Sequence, residues 1–330
     1  AVAADDDSSS SAPADTSGTE SGTDGTVGNT YTLTTSADSF GPNVTTEANQ
    51  TTVDNDTFQA IVDDTGGDTL SNADIVNGGA GTDTLEVRIL DAAATSIDTI
   101  SPDVTSVEAF RFINQDGTDA SQAVALDFRG IEPSSNTRYV LEDSVGSSET
   151  ILLNLPNPEN ATYVIDNVGS VGSNATFDLN FKPGGVAGTS DALNVEVSGN
   201  SQATLTNSDG SEGTASADIK DTIESVSIKS SGEANTLNAQ LGTGLTSVTV
   251  TGDESLTLTD GEDGFSGVTS VNASALSVGA GNQGLDMTFG SNELAGVDVT
   301  GSDGNDVLTG AVTADIALGT VSGVETIELE

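Results

Sequence analysis

A short strand pattern that recurs after about residue 190 constrains the fold more than any other feature of the sequence. Six segments of alternating apolar and polar residues, 22 to 31 residues apart, are centred on Val195, Val226, Val248, Val271, Val297 and Val324. Second short strands and Gly/Asn/Asp turns lie between them. A unit this thin cannot bury its own apolar face, so successive units must stack. The pattern predicts a β-solenoid of stacked coils over residues 186–330.

The preceding residues, 31–185, indicate a less regular β-rich domain. Apolar and β-branched residues predict seven strands between residues 84 and 181. These strands are expected at residues 84–90, 107–113, 123–128, 138–142, 149–153, 162–165 and 176–181. One or two helical turns are expected near residues 54–62. The chain is therefore predicted to be all-β, and packed β-sandwich domains are the alternative because their strands have a similar spacing.

Residues 1–30 differ from the rest in composition, being rich in Ser, Thr, Asp and Gly. Such a segment buries too little apolar surface to offset its chain entropy. We expect a low-complexity arm that is disordered alone or becomes ordered on a partner. The predicted organisation is this arm, the β-rich domain at 31–185 and the solenoid-like domain at 186–330.

The charge is strongly acidic, with 52 Asp and Glu against 7 Lys and Arg and a net charge of -45. Self-repulsion of this size opposes folding unless divalent cations or bulk salt reduce it. Calcium sites and adaptation to high salt both remain open as explanations. Nucleic acid is excluded as a partner because it is also a polyanion. No apolar run of about 18 residues is present, which argues against direct membrane insertion.

Cysteine and histidine are absent, which removes disulfides and most nucleophile–base pairs and transition-metal sites. We expect no enzymatic activity. A secreted hydrolase would have to rely on Asp, Glu, Ser and Thr. Thr257-Leu-Thr259 has the hydroxyl pattern of an ice-binding strand, but we expect that such rows do not repeat in register.

Two glycine-rich turns carry the pattern GGxGxDxUx, where U is a large aliphatic residue. Residues 78–86 (GGAGTDTLE) match every defined position, and residues 301–309 (GSDGNDVLT) match except at Ser302. Glycine permits the positive φ angles of a tight turn, and Asp supplies the hard oxygen that calcium prefers. The aliphatic residue begins a strand that enters the core.

These motifs resemble those of the RTX (repeat-in-toxin) superfamily, and the wider sequence texture resembles its bacterial S-layer and secreted surface members. The resemblance implies calcium as the bound ion, with Asp83 and Asp306 as ligands. Carbonyls near Gly79, Gly81 and Gly304 would complete the shells. Because the motifs stand singly, a second half-site must come from elsewhere. The candidates are Asp63, Asp64 or Asp68 for the first motif and Asp298 or Asp315 for the second, and Asp303 is a further candidate within the second.

The expected function is that of a structural subunit of an extracellular surface assembly, an S-layer, sheath or filament. The resemblance implies secretion to the cell surface and calcium-dependent folding and self-association. The expected partner is the chain itself, with cell-surface polysaccharide as a second candidate. The alternative is an adhesin or stalk segment of a larger secreted RTX-like protein.

Overall fold

The computed structural model describes residues 26–63, 67–91, 98–116, 124–129, 136–182, 184–186, 188–207, 223–261, 264–313 and 315–330. These residues form 25 strands and two short 3-10 turns, at Glu47–Asn49 and Pro158–Asn160. The strands are β1 Val27–Thr32, β2 Ser39–Phe40, β3 Asn55–Asp63, β4 Ile75–Asn77, β5 Thr84–Asp91, β6 Asp98–Ile100, β7 Asp103–Thr105, β8 Ala109–Asn114, β9 Val124–Asp127, β10 Thr137–Glu142, β11 Glu149–Leu155, β12 Ala161–Asp166, β13 Ala175–Phe181, β14 Ala192–Ser198, β15 Gln202–Thr206, β16 Ser225–Ser231, β17 Asn235–Gln240, β18 Ser247–Gly252, β19 Leu256–Asp260, β20 Ser270–Leu276, β21 Gln283–Phe289, β22 Asp298–Thr300, β23 Asn305–Gly310, β24 Val321–Ser322 and β25 Thr326–Leu329.

The strands are arranged in long parallel sheets, as in a β-solenoid. A front sheet of 12 strands has the order β1-β3-β5-β8-β10-β12-β14-β16-β18-β20-β22-β24. A back sheet of 10 strands runs from β6 and β9 through the odd-numbered strands β11 to β25, and a side sheet has the order β2-β4-β7. Every pair of named strands is parallel, unlike the antiparallel sheets of the β-sandwich alternative. Eleven strand spacings of about 4.8 Å give the front sheet a length of about 53 Å.

Stacked coils extend further towards the N-terminus than the sequence predicted. The seven strands expected between residues 84 and 181 are present, with bounds that agree within two residues. They belong to the same sheets as the later coils, since β12 pairs with β14 across residues 185 and 186. The first strand begins at Val27, inside the segment predicted as an arm. Residues 1–25 of that arm lie outside the described residues.

The expected helical turns near residues 54–62 are wrong, because this segment forms strand β3. Alternate residues of β3 are buried, beginning with Asp56 and Phe58. Phe58 lies in register between Tyr31 of β1 and Leu85 of β5. Pairing on both sides therefore decides the local structure.

The core is a set of side-chain columns that run along the stack. In the N-terminal half one front-sheet column is largely aromatic: Tyr139 stacks between Phe110 and Tyr163, with ring centroids 5.5 and 5.3 Å apart. Aliphatic residues replace the aromatic ones in later coils, from Val195 onwards. The few large side chains of this chain are thus concentrated where the coils are least regular in sequence.

The valine alignment of the sequence is correct only in part. Val226, Val248 and Val271 occupy one column, as predicted. Val226 aligns with Leu193 and not with Val195. The later members of this column are Val299 and Val321, not Val297 and Val324. Val195 and Val297 lie two residues from the true members of the column, and a displacement of two keeps a side chain on the same face, so alternation alone does not detect it. Val324 lies three residues from Val321.

The expectation that the Thr-x-Thr pattern does not repeat in register is confirmed for the pair, because Thr257 aligns with Asp286, but one of its two columns does repeat. On the back sheet, Thr259, Thr288 and Thr309 are register partners in successive coils. Their side chains lie on the face that is opposite the core. Within the described residues, no helix is long and apolar enough to cross a membrane.

Candidate metal-binding turns

The first glycine-rich motif forms the turn between β4 and β5. Gly79 and Gly81 have φ angles of +96° and +131°, as the motif requires of its glycines. A side chain at Gly81 would place Cβ 2.5 Å from the carbonyl oxygen of Asp54 in the preceding coil. A Cβ at Gly78 would collide with the carbonyl oxygen of Ser106 and with Oδ2 of Asp83. These glycines allow three successive coils to approach one another closely.

Asp83, the acidic residue of this motif, is fully buried and bonds to the neighbouring coils. Its Oδ1 accepts a hydrogen bond from the backbone N–H of Asp56, at 2.7 Å. Its own N–H donates to Oε2 of Glu108, at 2.9 Å. Asp56 repeats the arrangement one coil earlier and accepts from the N–H of Asn29 at 2.7 Å.

Asp56, Asp83 and Glu108 therefore form a ladder, which we call the carboxylate ladder. Sheet register places Thr57, Thr84 and the alanine after Glu108 side by side, so the three acids stack about 4.8 Å apart. Each carboxylate accepts a hydrogen bond from a backbone N–H of the preceding coil. The N–H groups of Asp56 and Asp83 would otherwise be buried without a partner. The acids are thus part of what holds adjacent coils in register.

The electrostatics of the ladder differ from those of an exposed acidic surface. Burial, together with the charges of Glu108 and Asp56, raises the pKa of Asp83 from 3.8 to about 6, although the hydrogen bond from the Asp56 N–H lowers it. Oδ2 of Asp83 is buried and has no hydrogen-bond partner. An ionised oxygen in this position is unfavourable unless a cation or a proton compensates it.

Further oxygen atoms surround Gly78 and Gly79 in the same turn. The Ser106 carbonyl and Asp83 Oδ2 both face Gly78. The Thr51 hydroxyl, which is also buried and without a partner, and the Thr52 carbonyl face the adjacent Gly79. A cleft of about 570 Å³ borders the turn and is lined by Thr51, Thr52, Gly79 and Ser106 among others.

This donor set has the chemistry that calcium prefers. Calcium binds carboxylate, carbonyl and hydroxyl oxygens together with water, in flexible geometry. The set supplies one buried carboxylate oxygen and several neutral oxygens. Among the described residues no group of three or more acidic side chains is arranged to hold a metal ion. The residues thus fit a site in which carbonyl and hydroxyl oxygens outnumber carboxylates.

Asp68, predicted to complete the first site, lies elsewhere. It is exposed, and its Oδ1 accepts from the N–H of Asp63 at 2.6 Å, near the C-terminal end of β3. Asp83 lies beside the N-terminal end of the same strand. The seven residue steps from Asp56 to Asp63 separate the two ends by about 23 Å. Asp68 and Asp63 are therefore not brought together with Asp83, and Asp64 lies outside the described residues.

The second motif leads into β23, and both carboxylate oxygens of its aspartate accept hydrogen bonds. Asp306 is 1% exposed. Its Oδ1 accepts from the Leu285 N–H at 2.6 Å and its Oδ2 from the Ser302 N–H at 2.7 Å. The Ser302 hydroxyl donates to Oδ1 as well, at 2.8 Å. The serine that replaces a motif glycine thus binds the carboxylate, and both oxygens of Asp306 have partners.

The other acids near the second motif also bind within the chain. Asp303 is exposed and accepts from the Gly279 N–H and the Ser277 hydroxyl, both at 3.0 Å. The bond from Gly279 is the main reason why the pKa of Asp303 lies below its usual value. Asp298 accepts from the Thr320 N–H at 2.6 Å. Asp315 is exposed.

Gly304 is required for a different reason from the glycines of the first motif. A Cβ at this position would collide with the side chain of Val278, while its φ angle is not in the left-handed region. Gly304 therefore permits close approach of two coils. The second motif lacks the unpartnered buried oxygen that distinguishes the first.

The sequence motif missed the acids that complete each turn. Glu325 accepts from the Asp306 N–H at 2.8 Å, as Glu108 does from Asp83. Glu224 accepts from the Asp191 N–H at 2.6 Å in a middle coil that has no glycine motif. In the sequence, each of these glutamates follows a Val or Ile and lies about one coil after the aspartate whose N–H it accepts. Comparison of the chain with protein-family models, with curated proteins and with solved structures gave no match.

Proposed function

We propose that this chain is a structural subunit of an extracellular surface assembly, and that calcium bound at the first glycine-rich turn stabilises its fold. The observation that carries the proposal is the buried, unpartnered Oδ2 of Asp83 within a carboxylate ladder that connects successive coils. A cation at this position would neutralise the ladder where its charge is least solvated. The proposed role is structural, without catalysis.

The architecture supports a role in spacing and bearing load. Parallel strands bond edge to edge along about 53 Å of the front sheet, so the fold is extended in one direction. Each coil contacts mainly its neighbours, as in other solenoids. Such a rod can set a fixed distance within a sheet-like lattice or a filament. Cell-surface polysaccharide is a second proposed partner, which would anchor the assembly.

Four oxygen atoms would hold the ion at the first turn: Asp83 Oδ2, Thr51 Oγ1 and the carbonyls of Thr52 and Ser106. When bound, calcium supplies positive charge to a buried carboxylate. Because the oxygens come from coils that precede and follow the turn, the ion would favour the stacked state. Calcium at the millimolar concentrations outside cells is sufficient for sites of moderate affinity.

Thermal unfolding of metal-free protein tests the calcium step. We expect low-millimolar CaCl2 to raise the thermal midpoint. At a 100-fold excess of calcium over Kd, the free energy of unfolding should rise by about 2.7 kcal/mol. NaCl at equal ionic strength is the control, because general screening acts without a specific site. Equal responses to both salts would favour adaptation to high salt and contradict the calcium site.

Electron microscopy tests the assembly step. We expect ordered lattices or filaments in calcium that dissolve when excess EGTA is added. Assemblies that persist unchanged in EGTA would refute the calcium dependence. Single rods in calcium at every protein concentration would instead favour the stalk of a larger secreted protein.

A further inference from the structure

The turn that leads into β14 contains a buried aspartate that lies outside both glycine-rich motifs. Asp191 immediately precedes β14 and is 6% exposed. Its Oδ2 is buried and has no hydrogen-bond partner. Among the described residues, the only other buried carboxylate oxygen without a partner is Oδ2 of Asp83. Residues 188–191, which we call the Asp191 turn, therefore share the feature on which the first metal site is proposed.

The backbone hydrogen bonds of Asp191 repeat those of Asp83. The N–H of Asp191 donates to Oε2 of Glu224, at 2.6 Å. The corresponding bond of Asp83 is made to Oε2 of Glu108, at 2.9 Å. Each aspartate carbonyl also accepts two N–H bonds, at 3.0 and 3.1 Å, from the glutamate and from the residue after it. The two turns thus join adjacent coils in the same way.

The spacing of the Asp191 turn explains why the motif does not include it. Gly188-Thr-Ser-Asp191 has one residue more between glycine and aspartate than Gly81-Thr-Asp83 has. A Cβ at Gly188 would lie 3.4 Å from Oδ2 of Asp191, so this glycine lies beside the unpartnered oxygen. The two residues between Gly188 and Asp191 are exposed, which places solvent next to the turn.

The charge of the Asp191 turn has no basic side chain to balance it. Within the described ranges, no lysine or arginine lies within 4.0 Å of the carboxylates of Asp191 and Glu224. The bond from the Asp191 N–H holds one oxygen of Glu224 next to the buried aspartate. Two carboxylates are thus brought together in a chain with a net charge of -45. A bound cation would remove the repulsion between them.

Two other buried aspartates show that an unpartnered oxygen is not a general property of these turns. In Asp56 and in Asp306, both carboxylate oxygens accept hydrogen bonds from the chain. In Asp83 and Asp191, one oxygen is left without a donor. Burial of such an oxygen is unfavourable. An external ligand is therefore expected at these two aspartates and not at the other two.

The ligand that fits this oxygen is a hard divalent cation. Calcium binds carboxylate oxygens and fills its remaining positions with neutral oxygens and water, in flexible geometry. Magnesium loses its water reluctantly and requires a nearly ideal octahedron, so a buried oxygen suits it less. Softer transition metals prefer imidazole and thiolate, and the chain has no histidine or cysteine.

We propose that the Asp191 turn is a second calcium-binding site, in which Oδ2 of Asp191 binds the ion and Glu224 adds negative charge from the next coil. The inference shares with the proposed function the premise that calcium neutralises an unpartnered buried carboxylate, but it concerns a different turn. Four strand steps separate β5 from β14 in the front sheet, so the two sites would lie about 19 Å apart along the stack. Ions at that distance are largely screened from each other and should bind independently.

Equilibrium dialysis with radioactive calcium counts the sites. In about 150 mM NaCl the original chain should bind two calcium ions with Kd below about 1 mM. Asp191→Asn and Asp83→Asn should each bind one ion, and the double variant should bind none. Asp253→Asn is the matched control, because it removes the same charge from an exposed turn residue and should still bind two. Circular dichroism and thermal midpoints establish that the variants are folded.

Hydrogen exchange on the original chain locates the second ion without any variant. The N–H groups of Glu224 and Ser225 both donate to the Asp191 carbonyl, so their exchange reports on the Asp191 turn. Calcium should slow this exchange at least about fivefold, because it stabilises the local closed state. The slowing should persist in Asp83→Asn and be absent from Asp191→Asn. If Asp191→Asn does not fold, the measurement on the original chain decides.

The outcomes separate this inference from the proposed function. One bound ion that is lost in Asp83→Asn, with unchanged exchange at Glu224 and Ser225, would overturn the second site and leave the proposed function standing. One bound ion that is lost only in Asp191→Asn would support the second site and overturn the first. Two ions bound to Asp191→Asn would contradict this inference, and no bound ion in the original chain would overturn both.

Discussion

Replacing Asp83 with Asn isolates the charge of the first turn from its hydrogen bonding. Oδ1 of Asp83 accepts from the Asp56 N–H, and an asparagine oxygen accepts in the same way. The amide nitrogen would occupy the position of the unpartnered Oδ2, near the carbonyl of Ser106. The substitution thus keeps one bond, gains a donor beside an acceptor and removes a buried charge.

The magnitude follows from the perturbed pKa. A carboxyl that ionises with a pKa of about 6 in the folded chain and 3.8 in the unfolded chain destabilises the fold when it is charged. One pKa unit corresponds to about 1.36 kcal/mol, so the penalty is at most about 3 kcal/mol above pH 7. We expect Asp83→Asn to be about 1–3 kcal/mol more stable than the original chain in metal-free buffer at pH 7.5.

The pH dependence gives an independent check of the sign. Between pH 3.8 and about 6 the folded state binds more protons at Asp83 than the unfolded state does. This contribution therefore raises stability as the pH falls from about 6 to 3.8, and it is lost again as the pH rises through 6. The difference between the original chain and Asp83→Asn should shrink over the same interval.

Calcium should reduce the stability advantage of the variant. Asn cannot supply the anionic oxygen that the proposed site requires, so the variant should gain little from calcium at this turn. The original chain should gain about 2.7 kcal/mol there at a 100-fold excess over Kd. The variant is then the more stable protein in chelator and the less responsive one in calcium.

Asp306→Asn is the matched control because both oxygens of Asp306 accept N–H bonds. An amide nitrogen at either position would face a donor, which costs about 1–3 kcal/mol with or without calcium. Urea unfolding followed by far-UV circular dichroism measures both variants, and hydrogen exchange at residues 78–86 localises the effect. Destabilisation of Asp83→Asn by more than about 1 kcal/mol in metal-free buffer would refute the reasoning.

Three further substitutions test the turns and the core. Gly81→Ala should destabilise the fold by at least about 2 kcal/mol more than Gly172→Ala in urea unfolding. Both glycines have positive φ, but nothing lies within 4 Å of a Cβ at Gly172. Equal losses of stability would contradict the close approach of coils at Gly81. Glu325→Ala should lower the free energy of unfolding by about 1–3 kcal/mol, because the N–H of Asp306 loses its acceptor. Glu325→Gln should retain most of the stability. Hydrogen exchange at the backbone amide of Asp306 would show the loss in the alanine variant. Tyr139→Phe should leave stability unchanged or raise it by up to about 1 kcal/mol, since the buried hydroxyl has no partner; a lower thermal midpoint would argue against that.

The sequence by itself determined the fold class and the backbone conformation of the first glycine-rich turn. Alternation of apolar and polar residues predicts strands whichever strand they pair with, so the seven strands between residues 84 and 181 could be found. Glycines at the motif positions predict positive φ angles, because glycine adopts them more readily than any other residue. Gly79 and Gly81 have such angles. These properties are local, and a single sequence contains them.

Register and carboxylate partners were decided only by the tertiary structure. Val195 and Leu193 both face the core, and only pairing with β16 selects which of them aligns with Val226. Asp83 and Asp306 occupy the same motif position, yet one retains an unpartnered oxygen and the other does not. Coil lengths vary, so the distance in sequence does not specify which backbone N–H a carboxylate will meet. Stacking specifies it, because strands one coil apart lie within hydrogen-bonding distance whatever the length of the loop that joins them.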